Sequence, residues 1–410
     1  MNRVAGLSLV LMTVVITGIA VGDDSPQFRG PKRDGVFPEK GLMKAWPENG
    51  PPLVWVSKGL GRGNSTVSVV KGRIYTTGML DDQKGYVLVL DLDGKIAHKF
   101  PYGPETLEKQ APGPRSTPTL DGDRLYLLSG LGVLYCVEPA TGKTLWQVEI
   151  LKKFGAENSE WNVAESILVD GNRVYCTPGG PEAAMAALDK NTGETIWTTK
   201  GLDDKTSYCT PILAAHNNRR VLLDATGKYI IGVDAENGTL LWKHPHKAPY
   251  DIHAVSPVYK DGLVYFTAGE GSGGGLLEMS PDATSVQLRW TDKNLDCLHH
   301  GVVLLDGYLY GCGQKQLVCL EMKTGKLMWS TKEISQGAVV AADGMLYIYE
   351  GPKSGVVSLV KATPTGFERT GKFAVTEGTD NHWPHPTIAN GRMYIRHGDA
   401  LLAYDIAEKK

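Results

Sequence analysis

One ten-residue frame is written four times in this chain, and a chain that repeats itself in this way folds by stacking like units. The copies are Val137–Trp146 (VEPATGKTLW), Leu188–Trp197 (LDKNTGETIW), Val233–Trp242 (VDAENGTLLW) and Leu320–Trp329 (LEMKTGKLMW). Each has an apolar residue, an acid beside it, a polar turn containing Gly, and a short strand ending in Trp. Gly suits the turn because tight connections between antiparallel strands often require a positive φ. The Trp offers a broad flat surface to bury against a neighbouring repeat.

A second landmark follows the D-G, K-G and N-G type turns. It reads Arg73-Ile-Tyr75, Arg124-Leu-Tyr126, Arg173-Val-Tyr175, Arg220-Val-Leu222, Leu263-Val-Tyr265, Tyr308-Leu-Tyr310, Met345-Leu-Tyr347 and Arg392-Met-Tyr394. These eight recur about every 46 residues, the spacing of propeller blades. Apolar residues alternate over short runs between turn clusters, as in strands, and do not recur every three or four positions as in helices. The last repeat stops after Ala400–Asp405 without its Trp-ending strand, while Leu53–Val56 is an orphan strand carrying Trp55. Pairing the two closes the ring and removes an open edge. The expected fold is therefore all-β: an eight-bladed propeller of four-stranded antiparallel blades over residues 53–410, closed by its N-terminal strand. Trp55, Trp146, Trp197, Trp242, Trp290 and Trp329 are the expected docking residues. Blades 1 and 7 lack the Trp, and blade 5 has an altered turn before Trp290.

The chain begins with Met-Asn-Arg, an apolar stretch from Val4 to Gly22 and then Asp23-Asp24, a secretory signal pattern over residues 1–22. Residues 23–52 form a turn-rich arm that could lie across the fold. The expected location is a periplasm or the exterior, with no membrane span after signal removal. A net charge of −2 argues against a nucleic-acid surface. Six Cys in a chain this large, with no C-x-x-C pair, leave disulfides optional. A monomer is expected.

The Trp-ending frame resembles the pyrroloquinoline-quinone (PQQ) repeat, and the resemblance runs from Leu53 to the C-terminus. Asn162–Gly171, Ala184–Asp189 and the opening Pro26–Pro31 resemble a branch of exported "PQQ-binding-like" propellers. The resemblance implies an eight-bladed ring with Trp docking between blades. It leaves activity open, because the branch mixes dehydrogenases with assembly factors that bind no quinone. An adjacent-Cys disulfide, a haem motif and an alignable calcium set are missing. Asp251, Asp296 and Asp380 are merely available near one mouth of the channel.

In such a ring the loops leading into the innermost strands line that mouth. They carry Arg62, Asn64, Arg115, Trp161, Asn162, Tyr208, His253, His300, Trp383 and His385, the candidate site residues. Five of the ten His fall in these loops. Neutral imidazole binds metals, and adjacent residues on a strand face opposite ways, so His253, His300 and His385 are the preferred metal trio over one using His299. Trp161 and Trp383 could floor a ring-stacking site. Arg62 and Arg115 could hold a carboxylate. Two functions follow: a binding or scaffold protein for an envelope protein, peptide or glycan, which is preferred, or a PQQ- and Ca-dependent dehydrogenase of alcohols or sugars.

Overall fold

The computed structural model describes residues 24–409, so the signal reading for residues 1–22 lies outside the described residues. Eight four-stranded antiparallel blades follow one another, and the seventh carries a fifth, parallel strand added from the arm. Blade 1 runs Ser68–Val70, Arg73–Met79, Lys84–Asp91 and Ile96–Pro104, and blade 3 runs Leu168–Asp170, Arg173–Cys176, Ala186–Asp189 and Thr195–Thr198. Blade 8 takes three strands from the C-terminus and its fourth, Leu53–Ser57, from the N-terminus, with Trp55 opposite Ala403. Among the described residues helix is confined to Ile150–Lys153 and one 3-10 turn, Pro249–Asp251.

Docking between blades follows one rule. The indole N–H of every docking Trp except Trp242 donates to a carbonyl in the next blade's turn: Trp55 to Leu92 at 2.8 Å, Trp146 to Lys190 at 3.0 Å, Trp197 to Ala235 at 3.3 Å, Trp290 to Met322 at 3.1 Å and Trp329 to Thr363 at 2.7 Å. For Trp55, Trp146, Trp197 and Trp290 the ring lies on that turn's glycine, whereas a Cβ at Gly366, in the turn that receives Trp329, would meet nothing. A Cβ at Gly193 would meet Trp146 at 2.9 Å, and one at Gly238 would meet Trp197 at 2.4 Å, both at positive φ. The frame therefore needs Gly twice, for the turn and for the neighbour's ring. A β-bulge falls one residue before the Trp, as between Thr144 and Trp146. This leaves the apolar residue preceding the Trp, such as Leu145 or Ile196, exposed.

The eight landmark positions explain themselves in the same packing. Tyr126, Tyr175, Tyr265, Tyr310 and Tyr394 each face a docking Trp at centroid distances of 5.7–6.1 Å. Where the frame lapses, substitutes appear. Phe100 of blade 1 covers Gly142 in the Trp slot. In blade 7, Trp46 of the arm faces Tyr347 at 6.0 Å with the tilt seen elsewhere. The altered turn of blade 5 places Ala283 at φ 59°, and Trp242, which docks there, is the docking Trp whose indole N–H has no partner.

A girdle of small hydroxyl residues stitches the inner strands together. Thr66 N–H donates to Thr117 Oγ1, Thr117 N–H to Ser166 Oγ, and Ser166 N–H to Thr210 Oγ1, at 3.0–3.2 Å.

The arm plugs the channel. Ser25 bridges Val69 on the inner strand of blade 1, and Leu120 N–H of blade 2 donates to Pro26 O. The chain turns at Phe28–Gly35 and returns as Val36–Phe37, a parallel strand on Ala341–Ala342 of blade 7. It leaves past Glu39, whose carboxylate accepts from Asn390 and Gly391 N–H, to reach the closing strand. Two buried arginines pin the loop. Arg29 donates to Val302 O, Val339 O and His385 Nδ1, and Arg33 to Gln27, Ser166 O and Ile167 O.

A channel-mouth cup floored by the N-terminal arm

With the channel closed from one side, the other mouth becomes a cup of about 300 Å³. Loops from seven blades form its wall, and Phe28 at the tip of the plug forms part of its floor, edge-on to His385 at 5.1 Å. Trp161, Tyr208 and Trp383 supply aromatic wall, with Ile252, Ala254 and Leu298 between them. Trp161 leans on Tyr208 at 6.2 Å and meets Tyr250 edge-on at 5.7 Å. Tyr250 stands 70% exposed at the rim, on a turn where it and Asp251 both have positive φ.

Six of the ten candidate residues line this cup: Asn64, Arg115, Trp161, Tyr208, Trp383 and His385. The other four do not. Arg62 is exposed and paired with Asp380 at 3.2 Å, outside the cup. Asn162 spends its amide on the loop wall, donating to Thr106 Oγ1 of the preceding connection at 2.7 Å and accepting from Asn158 of its own loop. His253 is buried behind the wall with Nε2 on His246 Nδ1 at 3.0 Å. His300 is buried beneath His299, ring to ring at 4.3 Å. His299 is the one of that pair that lines the cup, beside Trp383 at 5.4 Å. The two fall in a bend before the strand Val302–Leu305, where strand alternation gives no guide to facing.

The proposed metal trio is not assembled. His385 uses both ring nitrogens, Nδ1 accepting from Arg29 and Nε2 donating to His299 O at 3.1 Å. Burial, with neighbouring positive charge second, pushes its pKa down to about 3. Burial lowers His299 to about 4 and His253 to about 3. All three are neutral at physiological pH. Among the described residues no cluster of three or more His, Cys, Asp or Glu could hold a metal. Asp296 is occupied in capping Gly271 and Gly273 N–H.

The cup's charges cancel. Arg115 donates to the carbonyls of Ala111, Trp161 and Asn162 and lies 3.5 Å from Glu108. Glu108 accepts in turn from Gln110 and Ala111 N–H. Three polar atoms of the lining have no partner: Asn64 Oδ1, Arg115 Nε and His299 Nε2. Phe28, Glu108, Thr66, Ser166 and Thr210 belong to the cup but escaped sequence reasoning, and Ile252 and His299, read as mouth-loop residues but not among the ten candidates, belong to it too. The hydroxyls sit at one position of successive repeats, a signal that the repeat alignment contains; Phe28 carries no such signal.

Below the cup lies a second buried cluster. Glu165 and Asp224 sit beside Arg33, each with one partnerless oxygen, and Thr177 binds both, through its N–H to Glu165 and its hydroxyl to Asp224 at 2.6 Å. Burial is the main cause raising both carboxyl pKa values, and Asp224 adds to the rise at Glu165.

A closed ring of Trp-docked blades, with an aromatic cup where the channel would open, defines a PQQ-repeat type of propeller. The family described as "Outer membrane protein assembly factor BamB" matches residues 83–331, more than half of the chain, and the chain belongs to that family of PQQ-repeat propellers. It is similar to quinoprotein alcohol dehydrogenase PedH of Pseudomonas putida, 28% identical over 163 residues, covering 38% of this chain and 26% of that one. The chain thus spans about a quarter of that dehydrogenase's length. Tetrathionate hydrolase of Acidithiobacillus ferrooxidans is 23% identical, over 92% of this chain and 80% of its own. The crystal structure of BamB from Moraxella catarrhalis shares the fold, with TM-score 0.64 and 16% identity over 87% of this chain and 99% of that one. Three relatives with three different named roles show the scaffold in common, not the chemistry.

Proposed function

We propose that this protein is an exported envelope binding propeller, which seats a group of a protein, peptide or glycan ligand in the channel-mouth cup and does no redox chemistry of its own. The observation that carries the reading is the cup's cancelled charge: its guanidinium is committed to three carbonyls and faces its one carboxylate. Such a cup favours an uncharged group held by aromatic walls.

The quinone alternative asks for more than these residues offer. A tricarboxylated quinone with calcium needs several free donors for its carboxylates and a set of oxygen ligands for the ion. Arg115 has both terminal nitrogens committed and keeps only its buried Nε free, Arg62 pairs with Asp380, and Glu108 would repel an anion. The residues present do not fit the group. The export reading rests on the N-terminal apolar stretch and on the family's outer-membrane assembly name. No helix among the described residues is long and apolar enough to cross a membrane.

Titration of PQQ into the mature protein, with and without Ca²⁺, is expected to show no saturable signal by absorbance or calorimetry. Saturable binding at micromolar concentration would sink the reading and bring the dehydrogenase forward. In parallel, pull-down from the envelope extract should retain a partner or glycan on the wild-type protein and lose it with Trp161→Ala.

A further inference from the structure

The cup's lining says more about the chemistry of its occupant, provided the reading of the cup as a binding site holds. Three aromatic side chains and Phe28 bound a space of about 300 Å³, enough for one bicyclic ring but not for an extended chain. The girdle hydroxyls are already used between blades, so they are poorly placed to meet the many hydroxyls of a sugar. What remains unpaired is Asn64 Oδ1, an acceptor, with His299 Nε2, which accepts in one of its two tautomers, and the single donor Arg115 Nε, which a phenol oxygen can meet. A buried acceptor without a partner costs free energy that a ligand donor recovers. An apolar body with one donor is the chemistry that satisfies both the walls and the orphan acceptor.

We propose that the cup binds a neutral aromatic ring carrying a single hydrogen-bond donor, a phenol or an indole, with the ring between Trp161, Tyr208 and Trp383 and the donor on Asn64 Oδ1. Tyr250 forms the lip over which the rest of the ligand leaves. It is exposed, it touches Trp161, and its positive-φ turn holds it at the rim against local backbone preference. The ring could come from a free small molecule or from a Tyr or Trp side chain of a partner protein, and the two sources offer the same donor and the same face.

The test titrates the mature protein with p-cresol, 3-methylindole, toluene, benzoate and cellobiose, followed by tryptophan fluorescence and calorimetry. p-Cresol should bind about tenfold more tightly than toluene, the expected effect of one buried hydrogen bond. Asn64→Leu should bring the two within about twofold; the Asn64 side chain has no intramolecular partner, so the fold should tolerate the change. Tyr250→Ser should weaken a blocked Tyr- or Trp-containing tripeptide more than p-cresol if the source is a partner protein, and the two equally if it is a free molecule. Equal binding of p-cresol and toluene to the wild type overturns the proposal, as does preference for benzoate. Cellobiose binding that Trp161→Ala abolishes, with p-cresol silent, removes the ring chemistry and leaves the cup as a binding site. Silence of every probe, with an envelope partner retained equally by wild type and Trp161→Ala, removes both.

Discussion

At the scale of single residues, the buried charges of the plug set the terms. Arg33, Glu165 and Asp224 share one dry space with Thr177, Cys176 and Cys209 around them. Both carboxyls have folded pKa values above their unfolded ones, chiefly through burial. The folded state therefore holds protons that the unfolded state releases. That contribution to stability is full below about pH 4 and is lost as pH rises through the folded values. Asp224→Asn removes the cost of ionising this site. It is expected to stabilise the protein by about 1–3 kcal/mol at pH 8 and by nothing measurable at pH 4. Urea unfolding of both proteins at the two pH values checks it; a gain independent of pH would mean that packing, not ionisation, is responsible.

At the scale of the blade, the glycine and the tryptophan of the repeat act on each other across a blade boundary. Gly238 lies under Trp197 of the preceding blade, with 2.4 Å between the ring and any added Cβ, and its φ of 76° disfavours other residues. Gly238→Ala should cost more than about 2 kcal/mol, from backbone strain plus displacement of the ring. Trp197→Ala should cost about 3–5 kcal/mol. In the double variant the steric part disappears, so the two losses should sum to more than the measured total. Strict additivity in the cycle would show that ring and glycine do not press on each other. The same logic explains the lapses of the frame. Blade 7 borrows Trp46 from the arm, and Trp242 lacks an indole acceptor where the next turn carries Ala283.

At the scale of the whole molecule, the channel mouth is a concentration of buried neutral histidines. Burial holds His253 and His385 near pKa 3 and His246 and His299 near 4, and pushes His300 well down. A folded pKa below the unfolded value of about 6.5 gives stability that is present above that pH and is lost as pH falls toward the folded value. These five histidines outnumber the four buried carboxyls with the opposite slope, Glu105, Glu165, Asp224 and Glu350. Stability should therefore fall by several kcal/mol, on the order of 5, between pH 7.5 and 5. Urea midpoints across that range test it, and a flat profile would mean that water reaches the rings. Because His385 bonds Arg29 of the plug, hydrogen exchange in residues 25–37 should rise before global unfolding as the pH falls.

The repeat frame by itself determined the architecture, because Gly, Tyr and Trp positions recur at blade spacing and one strand was missing at one end and spare at the other. Closure by Leu53–Ser57, Trp docking and the loop class at the mouth are all local patterns multiplied by periodicity. Asn64, Arg115, Trp161, Tyr208, Trp383 and His385 were legible for the same reason: they occupy one loop position in successive repeats. Facing within a bend was not legible, which is why His299 and His300 exchange roles. The commitment of Arg62, Asn162 and His253 to Asp380, Thr106 and His246 was equally hidden. Only the tertiary structure decided that residues 25–37 enter the channel and that Phe28 closes the cup. Those contacts join the arm to blades up to 356 residues away. The arm has no repeat and no period, so nothing local records where it goes. Its path follows from pairing buried guanidinium and backbone groups that a dry channel leaves no other way to satisfy.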